Sequence, residues 1–543
     1  MAPLTHTPLM RFISLLLFLF LISCDSRSDI EIANEEGILI IGNSNEPKGL
    51  DPHLVSGVLE SNIIRALFEG LCVEDPKKDA MALPGAAERW EANEDFTQWT
   101  FFLNPKAKWS DGVPVTAHDF VFSYKRLLSP DPNWPAKYSE MLYFLKNAEA
   151  YHKGDLKDFS EVGVHASDDF TLKIDLRGPV PFLPELTKHY TWYPLPKHTI
   201  LEFGKINTAF ASQWTLPENM VSNGPFKLKT WKTNHLVEVE RNPYYWDAET
   251  VSLNGIRYLP ISNYYTETRM FSDDQLHLTY TVPSELIPYA KEHFPKQLRQ
   301  EPYVGVRFLR SNTKRPPFDN PKVRRAFALA INQQAICDKI LQGGQKPASG
   351  IVPPFGSYTP PGVIHYDPEL AKKLLAESGY ANASGFPNIS LLTTDSDSGR
   401  REAEALQAMW QQNLGIKVRI VQREWTNYLQ KQYTADYDLA AAGWIGDYLD
   451  PTTFLEMWTS GNGNNNTGWA SPEFEKFLHQ AENTADVDQR MAILSQAETI
   501  LLEETPVMPI YWYTTNYLIR PEVKNWSPLL LNNHPFKFVE LKP

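Results

Sequence analysis

The order in which apolar residues change period between positions 389 and 447 constrains the fold of this 543-residue chain more than any other feature. Residues 389–394 read as a buried strand, and residues 402–414 as an amphipathic helix closed by Gly415. Ile416, Val418 and Ile420 then alternate as a strand, a short helix follows Thr426, and residues 437–442 read as a further strand. Strand, helix, strand, helix, strand is the pattern of a right-handed parallel α/β lobe. In open sheets of that kind ligands sit beyond the carboxyl ends of the strands. The segment Gly443-Trp444-Ile445-Gly446-Asp447-Tyr448 lies at such an end. It places an aromatic ring, two glycines that let a backbone approach and a carboxylate at the expected mouth of a cleft.

The rest of the chain has room for several domains or for two large lobes. Its 42 prolines are spread through loops instead of marking one linker, which suggests a chain that crosses between lobes more than once. Helix starts are well signalled. Thr116 and Asp119 make a capping box ahead of Phe120, Val121, Tyr124, Leu127 and Leu128. Asn320-Pro321 precedes the stripe Val323, Ala326, Phe327, Ala330 and Ile331, and Asp367-Pro368 opens a helix that should stop at Gly379. A composition of 42% hydrophobic and 22% charged residues excludes a polytopic membrane protein, a disordered chain and a collagen. With 52 basic against 65 acidic residues there is no electrostatic footprint of a nucleic-acid binder.

At the amino end, Arg11 precedes an apolar run over residues 12–22 that stops at Ser23-Cys24, the layout of a secretory signal. Leu21-Ile22-Ser23-Cys24 also resembles the bacterial lipobox, in which the cysteine is lipidated. A plain signal peptide with a chance cysteine is the alternative. The expected layout is a signal over 1–23, Cys24 as membrane anchor and a polar tether over 24–37.

Motifs for catalysis are missing: no His-Glu-x-x-His, no Gly-x-Ser-x-Gly, no phosphate-binding loop and no dinucleotide fingerprint. The 13 histidines are scattered, so no metal or cofactor is expected. Asp395, Asp397 and Gly399 mimic the start of a calcium loop without its later ligands and read as a solvated loop. Asp447 and Asp450, followed by Pro451, fit a turn better than a glycosidase pair. Cys72 and Cys337 sit in apolar surroundings as inert buried thiols.

Several strings occur together and in order: Leu50-Asp51-Pro52, Glu60-Ser61-Asn62 running into Leu67-Phe68-Glu69-Gly70-Leu71, WSDGVPVTAHDFVFSYKR from Trp109, SNGPFKL from Ser222, NPYYWD from Asn242, PPFDNPKVRRAFALAIN from Pro316 and GDYLDPTTFL from Gly446. With these the chain resembles the peptide-binding members of the family 5 extracellular solute-binding proteins, most closely the oligopeptide receptors of ABC importers. The resemblance implies a class II two-lobed periplasmic-binding-protein fold with an extra subdomain. Lobe I would comprise 38–68, 195–304 and 514–543, the subdomain 69–194, and lobe II 305–513, with mixed sheets flanked by helices and a ligand cleft between the lobes. It also implies a monomer anchored to a membrane on the exported side, which hands short peptides to an ABC permease and carries out no catalysis. Carried over residue by residue, Asp447 would receive the ligand's α-ammonium, Gly443, Trp444 and Ile445 one backbone edge, and Ser56, Gly57 and Val58 the other. Trp425 and Tyr138 would line side-chain pockets. Ala441 and Gly399 stand where basic partners for a ligand carboxylate would be expected, which implies tolerance of variable length. Ile445 replaces a cysteine, so Cys72 and Cys337 need not be paired. The residues alone leave Asp447 open as a turn cap, Trp425 and Trp444 as core aromatics, and 56–58 as a plain loop. Other ligands of the same scaffold, such as a cell-wall peptide, a dipeptide, a metal chelate or haem, and an exported hydrolase remain as competing readings.

Overall fold

The computed structural model describes residues 27–207 and 213–542; the signal segment and Cys24 lie outside the described residues. Three principal sheets organise the chain. Ile38–Gly42 runs parallel to Gly255–Leu259, which continues antiparallel into Leu236–Arg241 and Phe226–Lys232. A second, antiparallel sheet is built from Ala87–Ala92, Gln98–Leu103, Thr171–Asp175 and Val164–Asp168. The third is mixed and six-stranded, in the order Lys346–Pro347, Val507–Leu518, Leu298–Ser311, Leu439–Ile445, Ser390–Thr394, Arg419–Arg423. One large apolar core lies under the first two sheets and another under the third. No helix among the described residues is long and apolar enough to cross a membrane.

The patterned segment behaves largely as its periodicity dictates. Ser390–Thr394 pairs parallel with both Arg419–Arg423 and Leu439–Ile445, while the latter is antiparallel to Leu298–Ser311. Helices at Ala117–Leu127, Pro321–Leu329 and Pro368–Glu377 start where their caps predict, with Asn320 and Asp367 accepting from first-turn amides. Four expectations change. Asp397 and Gly399 belong to the first turn of the Asp397–Leu414 helix, because the Ser396 hydroxyl caps the Gly399 amide and starts the helix earlier than Glu402. Ile416 and Val418 are buried but precede the ladder, whose pairing begins at Arg419 opposite Ser390. Tyr437 is likewise buried ahead of its strand. The tether is shorter than expected: Asp29–Glu36 is a helix with a Ser28–Glu31 capping box and buried Ile30 and Ala33.

In the loop between Ile38–Gly42 and the Val58–Leu67 helix, Asp51 is enclosed. Its carboxylate accepts from Arg126 Nη2 at 2.6 Å and Nη1 at 2.9 Å, from Trp214 Nε1 at 3.2 Å and from the His53 amide at 3.0 Å. Burial alone would raise this carboxyl; the Arg126 guanidinium outweighs it and leaves Asp51 below its ordinary value. The same burial, with Arg126, pushes His53 down to about 3.

Candidate binding cleft

The cleft begins with an unfinished strand. Leu439–Ile445 pairs with Ser390–Thr394 only at Leu439 and Ala440, and the Tyr428 hydroxyl donates to the Ala441 carbonyl, so its second edge is open from Gly443 onward. On the opposite edge the Gly446 amide donates to the Val304 carbonyl at 2.8 Å, and the register sets Trp444 opposite Val306. Backbone alternation then turns the N–H and C=O groups of Gly443 and Ile445 toward the open edge. Gly443 is needed for a further reason: a Cβ there would lie 2.1 Å from Tyr513 Oη, and one at Gly305 2.4 Å from Tyr513 Cδ2. The Tyr513 ring thus lies across two glycine positions of neighbouring strands.

Across from this edge, Ser56 and Gly57 lead into the Val58–Leu67 helix, with Gly57 extended as its N-cap and Val58 already its first helical residue. A Cβ at Gly57 would fall 2.0 Å from Glu60 Oε2, whose partner oxygen accepts the Lys48 amide at 2.9 Å. Between the two segments is a cavity of about 80 Å³ lined by Ser56, Gly57, Val58, Tyr138, Ile445 and Asp447. Tyr138 takes left-handed backbone angles, φ 58° and ψ 28°, a conformation that costs energy for a bulky residue and clusters at ligand sites. It meets His189 and Tyr190 edge-on at 5.8 and 6.4 Å. A second chamber of about 210 Å³ shares Val58, Arg65, Tyr303, Ile445 and Asn533 with the first.

Asp447 dominates the electrostatics. Among the described residues nothing donates to its carboxylate; its own amide donates to Thr453 Oγ1 at 3.1 Å. Burial, reinforced by Glu140, pushes its carboxyl up to about 7. The turn that follows is capped by Asp450, which accepts from the Thr452 amide at 3.1 Å and hydroxyl at 2.7 Å and is forked by Arg490 at 2.5 and 2.9 Å. Asp447 is therefore not needed as a cap. An unpartnered, half-buried carboxylate at the edge of a cavity is a seat for a cation.

The structure brings Ser56, Gly57, Val58, Tyr138, Ile445 and Asp447 to one cavity and Gly443 to the edge beside it. Trp444 is partly buried against the core of the six-stranded sheet. Trp425 is 58% exposed, stacked on Tyr428, and lines neither chamber. Sequence reasoning missed Arg65, His189, Tyr190, Tyr303 and Asn533, which join the cavity from distant segments. Only Arg65 had a signal, its place inside the string from Glu60 to Leu71. A larger cavity, about 360 Å³, lies along Arg419–Arg423 at the sheet's outer edge and contains none of the expected site residues. Cys72 and Cys337 are free and buried, and burial pushes both thiols up to about 12.

A family model described as "Bacterial extracellular solute-binding proteins, family 5 Middle" matches residues 82–466. The periplasmic oligopeptide-binding protein OppA of Salmonella typhimurium is 36% identical over 519 residues, covering 93% of this chain and 92% of its own. Among solved structures, the Escherichia coli murein tripeptide-binding protein MppA superposes with a TM-score of 0.80 at 32% identity, covering 93% of this chain and 98% of its own. Haemophilus influenzae OppA in complex with RPPGFSPFR gives 0.78 at 33% identity, with 93% and 99% covered.

Proposed function

Because the chain belongs to the family 5 bacterial extracellular solute-binding proteins, we propose that it captures short peptides outside the cytoplasm and delivers them to an ABC importer. In this reading the chain is a monomer anchored through Cys24, and it transforms nothing itself. The observation that carries the reading is the unpartnered Asp447 carboxylate at the end of an open strand edge. A receptor for peptides of many sequences must bind what they share, a backbone and charged ends. An open edge accepts the backbone as an added strand, and a lone carboxylate accepts the α-ammonium. The relatives named for peptide binding at 32–36% identity support it further.

The division into lobe I, a subdomain at 69–194 and lobe II is part of the same proposal. Leu298–Ser311 and Val507–Leu518 run unbroken through both proposed lobe boundaries, and their ladder is interrupted between Pro302 and Val306. That interruption is a suitable hinge, since it leaves local backbone unpaired. Three contacts bridge the proposed units and would favour closure: Arg177 meets Glu482 at 2.9 Å, Tyr448 stacks on Phe182 at 5.8 Å, and Arg401 pairs with Glu285. A ligand that touches both Ser56–Val58 and Asp447 stabilises the closed state by differential binding.

Calorimetry with a tripeptide and its N-acetylated twin tests the reading. The free amine should bind one to two decades more tightly; equal affinities would remove Asp447 from the site. Mass spectrometry of ligand released from the purified protein should show intact short peptides. Time-dependent cleavage of an added peptide would favour a hydrolase instead.

A further inference from the structure

One cation in the cleft has no role in this reading. Arg65, on the last turn of the Val58–Leu67 helix, forms part of the wall shared by both chambers, with its side chain 8% exposed. Nε donates to Ser61 Oγ at 3.1 Å, and Nη1 donates to Glu74 Oε1 at 2.5 Å and to the Lys188 carbonyl at 3.1 Å. Nη2 makes no hydrogen bond to any described residue. The histidines on the two walls, His189 and His534, are pushed by burial to about 3 and are neutral at physiological pH. Arg65 is therefore the only cationic side chain lining either chamber among the described residues.

A planar guanidinium held at two of its nitrogens presents the third arm with little entropy left to lose. Glu74 neutralises the group, so the wall offers a donor without a net charge that would repel an ammonium at Asp447. Arg65 and Asp447 both line the smaller chamber, of about 80 Å³. A ligand whose ammonium sits at Asp447 brings the acceptor nearest that ammonium into the chamber that Arg65 lines. In a peptide that acceptor is the carbonyl oxygen of the first residue.

We propose that Arg65 is a ligand-contacting specificity residue: Nη2 donates to the carbonyl oxygen of the ligand's first peptide unit while Asp447 holds its ammonium. The recognised group is then a free α-aminoacyl amide, not an amine in general. This inference rests on the peptide reading above and deepens it.

Calorimetry on the purified protein with trialanine and with its analogue carrying an (E)-alkene in place of the first peptide bond tests it. The protein should bind trialanine about tenfold more tightly than the alkene analogue. Arg65→Lys keeps a cation against Glu74 but has no second arm; it should lose about tenfold on trialanine and nothing on the analogue. Should that variant unfold, the double variant Arg65→Gln with Glu74→Gln, which leaves no unpaired charge, takes its place in the same comparison. Equal binding of the two ligands by the unaltered protein, or an equal loss on both in the variant, overturns the proposal and leaves Arg65 a structural strut. A preference for Glu-Ala-Ala over Gln-Ala-Ala that disappears with Arg65 also overturns it, in favour of an acidic side chain as the acceptor. N-acetyl-trialanine binding as tightly as trialanine would sink the peptide reading itself, whatever Arg65 does.

Discussion

Asp51, buried, and Asp447, half-buried at the cleft, are carboxylates treated in opposite ways. Asp51 receives two guanidinium bonds, an indole and an amide, and its carboxyl is held below the ordinary value. Asp447 receives nothing from the described residues, and burial, with Glu140 nearby, pushes its carboxyl to about 7. The difference separates architecture from function. A buried charge whose valences are all met ties a loop to the Ala117–Leu127 helix, whereas a half-buried one left unmet at a cleft is placed to take a partner from outside. Asp450, three residues from Asp447, repeats the first pattern with Arg490, so pairing is available in this neighbourhood and Asp447 is left out of it.

The sharpest way to break this contrast is to exchange the two effects. Asp51→Asn strands Arg126 without its counter-charge in a closed interior, and should cost about 3–5 kcal/mol of unfolding free energy. Denaturant titration measures it, and a loss below about 1 kcal/mol would mean that the junction relaxes onto other acceptors. Asp447→Asn should do the reverse. Ligand affinity should fall by about 1.5–3 kcal/mol in calorimetry, with thermal stability unchanged or slightly raised. A large stability loss there would return Asp447 to a structural role.

Protons report the same contrast with opposite signs. For Asp447 the folded value, about 7, lies above the ordinary 3.8. Between those values the empty protein holds a proton that the unfolded chain releases, so this group's contribution to stability declines as pH rises through that window. Asp51, depressed, contributes stability above its ordinary value that is lost only as pH falls through the folded one. A ligand ammonium takes the place of the Asp447 proton. Affinity for a free-amine peptide should therefore rise about fourfold between pH 6 and pH 8 and fall again as the α-ammonium itself deprotonates, and the rise should vanish in Asp447→Asn. A flat profile in the unaltered protein would contradict the raised carboxyl.

How much of this was legible follows from which interactions are local. The caps at Thr116, Asn320 and Asp367 and the strand at Ser390–Thr394 are written in neighbouring residues and form as read, while the strand read over 437–442 forms two residues later and runs on to Ile445. Ser396 was passed over because Asp397 and Gly399 resemble a loop, although one hydroxyl suffices to start a helix there. The open edge at Gly443 depends on where Ser390–Thr394 stops pairing, and Tyr190, Tyr303 and Asn533 enter the cavity from segments hundreds of residues apart. No periodicity records that convergence. The sequence strings marked Asp447 and the 56–58 segment, but only the fold shows that the first is unpaired and the second faces it.

Gly443 provides a smaller test, because its freedom from a side chain serves Tyr513 as well as the open edge. Gly443→Ala places a methyl group against the Tyr513 hydroxyl, and displacing that ring should cost about 1–2 kcal/mol of stability. Combining it with Tyr513→Phe, which removes the obstructing oxygen, should recover part of the loss. No recovery would show that the glycine is needed for its backbone alone.

Trp425 marks the boundary of the cleft by its expected silence. Its ring is 58% exposed and stacks at 5.4 Å on Tyr428, whose hydroxyl in turn donates to the Ala441 carbonyl at 2.5 Å. The contact with the strand is therefore Tyr428's, and Trp425 covers it from outside. Trp425→Ala should change stability by no more than about 0.5 kcal/mol, and tripeptide affinity by less than about threefold, the equivalent of that energy. A longer ligand that extends along the open edge past Gly443 toward Tyr428 is where an effect would emerge. If a tripeptide already loses tenfold, the ligand runs from Asp447 toward the Trp425–Tyr433 helix, and the shared wall at Arg65 and Tyr303 is not its course.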